Sequence, residues 1–132
     1  MKFCWSTLMV KNLEESLKFY QEIVGLEVSR RFQAGPGMEI AFLGDGDTKI
    51  ELICNGSSEE VNVGKDISWG FEVDSLDRAL SLIKEKGLEI HSGPFQPNPN
   101  IKFFYVLDPN GLKVQLVQNI LVFSTRTQAS TK

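Results

Sequence analysis

Apolar and polar residues alternate along the chain in a pattern that is written twice. Each copy opens with a short alternating stretch, read as a strand over about Phe3–Val10 and again over about Asp66–Val73. A polar cap follows, Asn12 in the first copy and Asp74 or Ser75 in the second. Next comes an amphipathic helix, with apolar positions at Leu13, Leu17, Tyr20 and Val24, then at Leu76, Leu80, Ile83 and Leu82. Gly25 and Gly87 stand where a left-handed helix end is wanted. Three further strands are expected in each copy. In the first these are Leu26–Phe32, Met38–Leu43 and Thr48–Cys54. In the second they are Leu88–His91, Phe103–Leu107 and Leu112–Gln118. Asp45-Gly46-Asp47 and Asp108-Pro109-Asn110-Gly111 mark the turns before the last strand of each copy. Ser92–Asn100, with three prolines, reads as a long loop.

The copies are offset by about 63 residues, with Val10 on Val73, Leu13 on Leu76 and Leu17 on Leu80. One deletion brings Gly25-Leu26-Glu27 onto Gly87-Leu88-Glu89. The order βαβββ, twice, predicts an α+β fold of two tandem modules. The expected boundaries are one domain over 1–121, with module one at 1–57, a linker at 58–65 and module two at 66–121. A polar tail occupies 122–132.

Alternation also divides the strands by face. Ile50, Leu52 and Cys54 form the apolar set of the last strand of module one, which leaves Glu51, Ile53 and Asn55 on the other face. Val114, Leu116 and Gln118 correspond in module two, although Gln118 fits an apolar set poorly; Lys113, Gln115 and Val117 lie opposite. Trp5, Thr7 and Met9, with Ser68, Gly70 and Glu72, are the cavity-side sets of the opening strands. Cys4 and Cys54 fall on the helix side, where buried thiols are expected. His91, the one histidine, reads as a surface or rim residue, and Glu72 as a solvated rim charge.

Composition narrows the function classes. The 132 residues are 42% hydrophobic and 23% charged, an ordinary globular balance. A net charge of -3 lacks the basic excess of a nucleic-acid binder. No apolar run is long enough for a membrane span, and the opening segment does not read as a secretion signal. Two cysteines do not make a disulfide framework, so reduced thiols in a cytoplasmic protein are expected.

The paired modules, the segment V-K-N-L-E-E-S-L-K-F-Y…G-L-E-V and the closing F-Y-V-L-D-P-N-G-L-K-V-Q-L resemble the vicinal-oxygen-chelate superfamily. That superfamily contains glyoxalase I, extradiol dioxygenases and bleomycin-binding proteins. The resemblance covers about residues 1–120. It implies a curved mixed sheet around a central cavity, and often a homodimer. In the metal enzymes of this superfamily each module supplies ligands from its first and last strands. Carried over, those positions are Trp5, Glu51, Ser68 and Gln115. The glyoxalase-like pattern there is His or Gln, Glu, His and Glu, and only the glutamate is kept. An indole has no lone pair for a metal, and a neutral hydroxyl is a poor ligand for Zn²⁺ or Ni²⁺. No metal ligands and no cofactor are therefore expected. Met9 stands where glutathione-using glyoxalases have an arginine, whereas Asn55 matches an amide near their glutathione. Arg30 and Arg31 read as a charged strand edge or as a rim that steers an anion.

These residues predict a metal-free module that binds a small organic molecule in the cavity between modules. Trp5, Met9, Glu51, Asn55, Ser68 and Gln115 are its ligand-binding candidates, with Trp69, Phe103, Phe104 and Tyr105 as further candidate walls, of which alternation allows only some inside. Two other readings stay open. One is a glyoxalase I-like lyase or isomerase with an atypical metal site or with Glu51 as base. The other is a vestigial pocket in a chain with a structural or regulatory role in a dimer or larger assembly. For Glu51 itself, a structural pair with Gln115 stands beside a functional role.

Overall fold

A computed structural model describes residues 1–56 and 60–120. The linker positions 58 and 59 and the expected tail at 122–132 lie outside the described residues. Two compact units are present: Met1–Lys65 together with the turn Asp108–Leu112, and Asp66–Leu107 with the strand after that turn.

The first unit holds β1 (Trp5–Met9), α1 (Leu13–Lys18), β2 (Val28–Gly35), β3 (Met38–Leu43) and β4 (Lys49–Cys54). The second holds β5 (Ser68–Glu72), α2 (Leu76–Glu85), β6 (Ser92–Asn98), β7 (Ile101–Leu107) and β8 (Lys113–Asn119). The sheets have the same topology, β1-β4-β3-β2 and β5-β8-β7-β6. In each, the first strand runs parallel to the last and the other pairs are antiparallel. The fold is α+β, two βαβββ modules in tandem, as the repeat predicts.

Asn12 and Ser75 cap the helices as expected. Asn12 Oδ1 accepts from Glu15 N at 2.9 Å, and Ser75 Oγ accepts from Arg78 N at 3.2 Å. The one-residue mismatch between the copies has a structural outlet. Beyond Lys18 the first helix widens into a π-helical segment, Phe19–Val24, which ends at Gly25 with φ +86°. A wider turn absorbs an inserted residue while keeping the apolar stripe on the sheet. Gln118 belongs to its strand's helix-side set for a polar reason: its Oε1 accepts from Leu76 N at 2.8 Å and satisfies the start of α2.

Two expectations need correction, and one choice left open is decided. The proline-rich stretch is not a loop but the edge strand β6, and Leu88–His91 is not a strand. An edge strand tolerates Pro94 and Pro97 because one side of it needs no ladder hydrogen bonds, and its register with β7 shifts between Ser92 and Phe95 and again before Asn98. Cys4 is exposed and Cys54 is half-buried; Cys4 precedes β1 and Cys54 is the last residue of β4, so neither sits in the middle of its strand. Among the candidate walls, alternation turns Phe104 inward: it is fully buried in the core of unit two with Val106, Val114 and Leu116.

The turn Asp108–Leu112 is the one element whose place the repeat does not show. The sequence pattern puts it in module two, yet its contacts are with the first helix. Tyr20 Oη donates to Asp108 Oδ2 at 2.7 Å, and Asn110 Nδ2 donates to Ser16 Oγ at 3.0 Å. Lys11 N donates to Asn110 Oδ1 at 3.1 Å. Asp108 Oδ1 also accepts from Asn110 N and Leu112 N, at 2.8 and 2.9 Å. Tyr20 and Ser16 are fully buried. Burial, and then the neighbouring Asp108 carboxylate, push the Tyr20 hydroxyl well above its ordinary pKa.

Candidate functional site

In unit one the face of the sheet away from the helix is an aromatic shelf beside a carboxylate. Alternation puts Trp5, Thr7 and Met9 of β1 on this face. Glu51 lies opposite Thr7 in the parallel pairing and opposite Phe42 in the antiparallel one. Thr7 Oγ1 donates to Glu51 Oε1 at 2.6 Å. The Trp5 ring meets Phe42 edge-on, with centroids 5.4 Å apart, and Phe32 lies nearly parallel to Phe42 at 6.4 Å. The Arg30 guanidinium sits 4.6 Å from the Phe32 ring centre and closes the far end. Phe42 is thereby covered, while Trp5 remains 51% exposed. An indole half in water is unusual for a core residue and suits stacking on a flat ligand.

Arg31 belongs to the other face. It forms ion pairs with Glu14 on the helix and Glu39 on β3, and its guanidinium holds the Glu39 carboxyl below the usual carboxylate range. It steers no ligand on the shelf. Met9 and Asn55 come together in a separate cleft of about 220 Å³, lined also by Lys11, Glu60 and Asn62.

The same register recurs in unit two with different side chains. Ser68 pairs with Lys113, and Gly70 with Gln115, which in turn lies opposite Tyr105. Gln115 Nε2 donates to the Tyr105 hydroxyl at 3.3 Å. Glu72, at the end of β5, accepts from Asn119 Nδ2 at 2.8 Å and is exposed, the rim charge that was expected. His91 is exposed, with Nδ1 3.2 Å from Ser92 Oγ. Trp69 lies on the helix side of β5, whereas Phe103 and Tyr105 share the open face.

The donor set does not fit a catalytic transition metal. Unit one offers Glu51, one of whose oxygens already accepts from Thr7, beside an indole packed against Phe42. Unit two offers a neutral hydroxyl and an amide engaged with Tyr105. Borderline divalent ions want imidazole, thiolate or several carboxylates. Among the described residues no three His, Cys, Asp or Glu side chains gather into a group that could hold an ion. No helix among those residues is long and apolar enough to cross a membrane.

Alternation already placed Thr7 on the cavity side, whereas sequence reasoning missed Phe42 and Phe32 as parts of this site. Phe42 and Phe32 could be placed only once the pairing of β2, β3 and β4 was known.

Comparison with known proteins supports the fold and the family. A lactoylglutathione lyase from Neisseria meningitidis is 33% identical over 128 residues, covering 89% of this chain and 91% of its own length. The uncharacterised YwbC protein of Bacillus subtilis is 29% identical, covering 84% of this chain and 92% of its own. Among solved structures, the trypanothione-dependent glyoxalase I of Leishmania major superposes with a TM-score of 0.78 at 20% identity, over 98% of this chain and 94% of that one. The sequence profile of one superfamily matches residues 3–116, nearly the whole described chain. The chain belongs to the Glyoxalase/Bleomycin resistance protein/Dioxygenase superfamily.

Proposed function

We propose that this protein works without a metal ion and binds a planar, amine-bearing organic molecule on the open sheet face of unit one. The observation that carries this reading is the half-exposed Trp5 backed by Phe42 and Phe32, with Glu51 held ready by Thr7. The aromatic rings offer the flat apolar contact. The second oxygen of Glu51 offers an acceptor for an ammonium group. Arg30 stands at the opposite end, so the cationic group of the ligand belongs at the Glu51 end. Losing an aromatic stacking partner or a charge partner at such a site is worth about 1–2 kcal/mol each.

Titration with 2-naphthylmethylamine, followed by quenching of tryptophan fluorescence, tests the reading. Saturable binding is expected. Trp5→Ala should weaken it about tenfold or more. Glu51→Gln should weaken the amine by about the same factor and leave naphthalene methanol unchanged. Equal binding by wild type and Trp5→Ala would refute the assignment.

The similarity to a lactoylglutathione lyase favours a second reading, a lyase or isomerase that uses Glu51 as a metal-free base. Any such activity that survives Glu51→Gln does not use this carboxylate.

A further inference from the structure

Asn55 and Asn110 are each followed by glycine, and no other asparagine of the chain is. Asparagine is a thermolabile side chain. It is most so before glycine, where no Cβ shields the next backbone nitrogen from the carboxamide. Asn62, Asn100 and Asn119 precede Val63, Ile101 and Ile120, whose branched side chains do shield it. The fold treats the two Asn-Gly pairs oppositely. Asn110 is 7% exposed. Its Oδ1 accepts from Lys11 N, and its Nδ2 donates to Ser16 Oγ and Asp108 Oδ2. The nitrogen that would attack it, Gly111 N, donates to the Asp108 carbonyl at 3.1 Å. Asn55 is exposed, one residue beyond the end of β4, and Gly56 is exposed after it.

We propose that Asn55–Gly56 is a site of spontaneous covalent modification, where ageing turns a neutral amide into a carboxylate, while the fold protects Asn110–Gly111. The Gly56 nitrogen attacks Cγ of Asn55. The carboxamide C–N bond breaks, and its nitrogen leaves as ammonia with the Gly56 amide proton. Water then adds to either carbonyl of the five-membered imide that remains. Opening at one carbonyl gives aspartate; opening at the other gives isoaspartate, whose backbone runs through the former side chain. Both products place a negative charge in the cleft that Asn55 shares with Met9, Lys11, Glu60 and Asn62. Isoaspartate also adds a methylene to the backbone just before Gly56, where the chain passes close to Gly37. The amine shelf around Trp5 and Glu51 takes no part in this chemistry.

The test incubates the full folded chain at mildly alkaline pH beside a sample kept in urea, and follows both asparagines by peptide mass spectrometry. Exchange of NH₂ for OH is read as a mass gain, and isoaspartate is separated from aspartate by chromatography. In the folded chain Asn55 should convert about tenfold faster than Asn110 or more, because Asn110 reacts only when its turn opens. In urea the two rates should converge, since the protection belongs to the folded turn. Asn55→Gln should remove the main acidic form seen by anion exchange, because glutamine would have to close a six-membered ring. Equal rates at the two positions in the folded chain, a difference that persists in urea, an Asn55 that converts only in urea, or an acidic form undiminished in Asn55→Gln would each overturn the site.

Discussion

Asp108→Ala is expected to lower the stability of this protein by about 3–5 kcal/mol, a large part of the margin of an ordinary domain. The carboxylate is 5% exposed and accepts from the Tyr20 hydroxyl and from the backbone N–H groups of Asn110 and Leu112. Alanine removes the acceptor these buried groups share, and a buried donor deprived of its acceptor costs about 1–3 kcal/mol before any relaxation. Asp108→Asn should be milder, because one oxygen is kept for the two backbone groups. Urea unfolding followed by circular dichroism measures both, and a loss under about 1 kcal/mol for the alanine variant would contradict the network's role.

The same contact predicts a pH dependence. Tyr20 has its folded-state pKa raised, by burial first and then by Asp108. Its neutral form is therefore the one the fold prefers. In the unfolded chain the hydroxyl ionises near its ordinary value of about 10. The stability it contributes is fully present below that pH and is lost as pH rises beyond it, by about 1.4 kcal/mol per pH unit. Tyr20→Phe should show a shallower alkaline decline than wild type between pH 8 and pH 11. Parallel declines would mean that the hydroxyl does not titrate on unfolding.

Gly56→Ala is the second large effect, at about 2–4 kcal/mol. Gly56 has φ +69°, and a Cβ on it would come within 2.5 Å of the carbonyl oxygen of Gly37, in the turn between β2 and β3. The obstruction is backbone, so it cannot swing aside as a side chain would. Gly25→Ala is the matched control, since Gly25 has φ +86° with nothing within 4 Å. That change carries only the left-handed backbone cost of about 1–2 kcal/mol. The difference between the variants, read from chemical denaturation, isolates the clash. Equal costs would show that the two chain segments do not meet this closely.

Much of this was legible in the residues. The repeat and the period of two put Glu51 and Gln115 on the open faces of their sheets and Leu52 and Leu116 in the cores. Those are local properties of alternating strands. The edge strand β6 was hidden because its prolines are turn residues by propensity, and only an edge position makes them tolerable. The choice between Phe103 or Tyr105 and Phe104 as wall residues needed the register of β7 against β8. The docking of the Asp108 turn joins residues 88 apart, and no local pattern reports that. A hint existed in Tyr20. It occupies a position where the second copy has Ile83, and a hydroxyl on a buried stripe requires a partner.

Metal content decides the central claim most directly, namely that Trp5, Glu51, Ser68 and Gln115 do not make a catalytic ion site. The full chain, equilibrated with excess Zn²⁺ or Ni²⁺ and desalted, is measured by plasma mass spectrometry beside its Glu51→Gln variant. The account predicts well under one ion per chain in both proteins. One firmly held ion per chain that disappears in Glu51→Gln would contradict it.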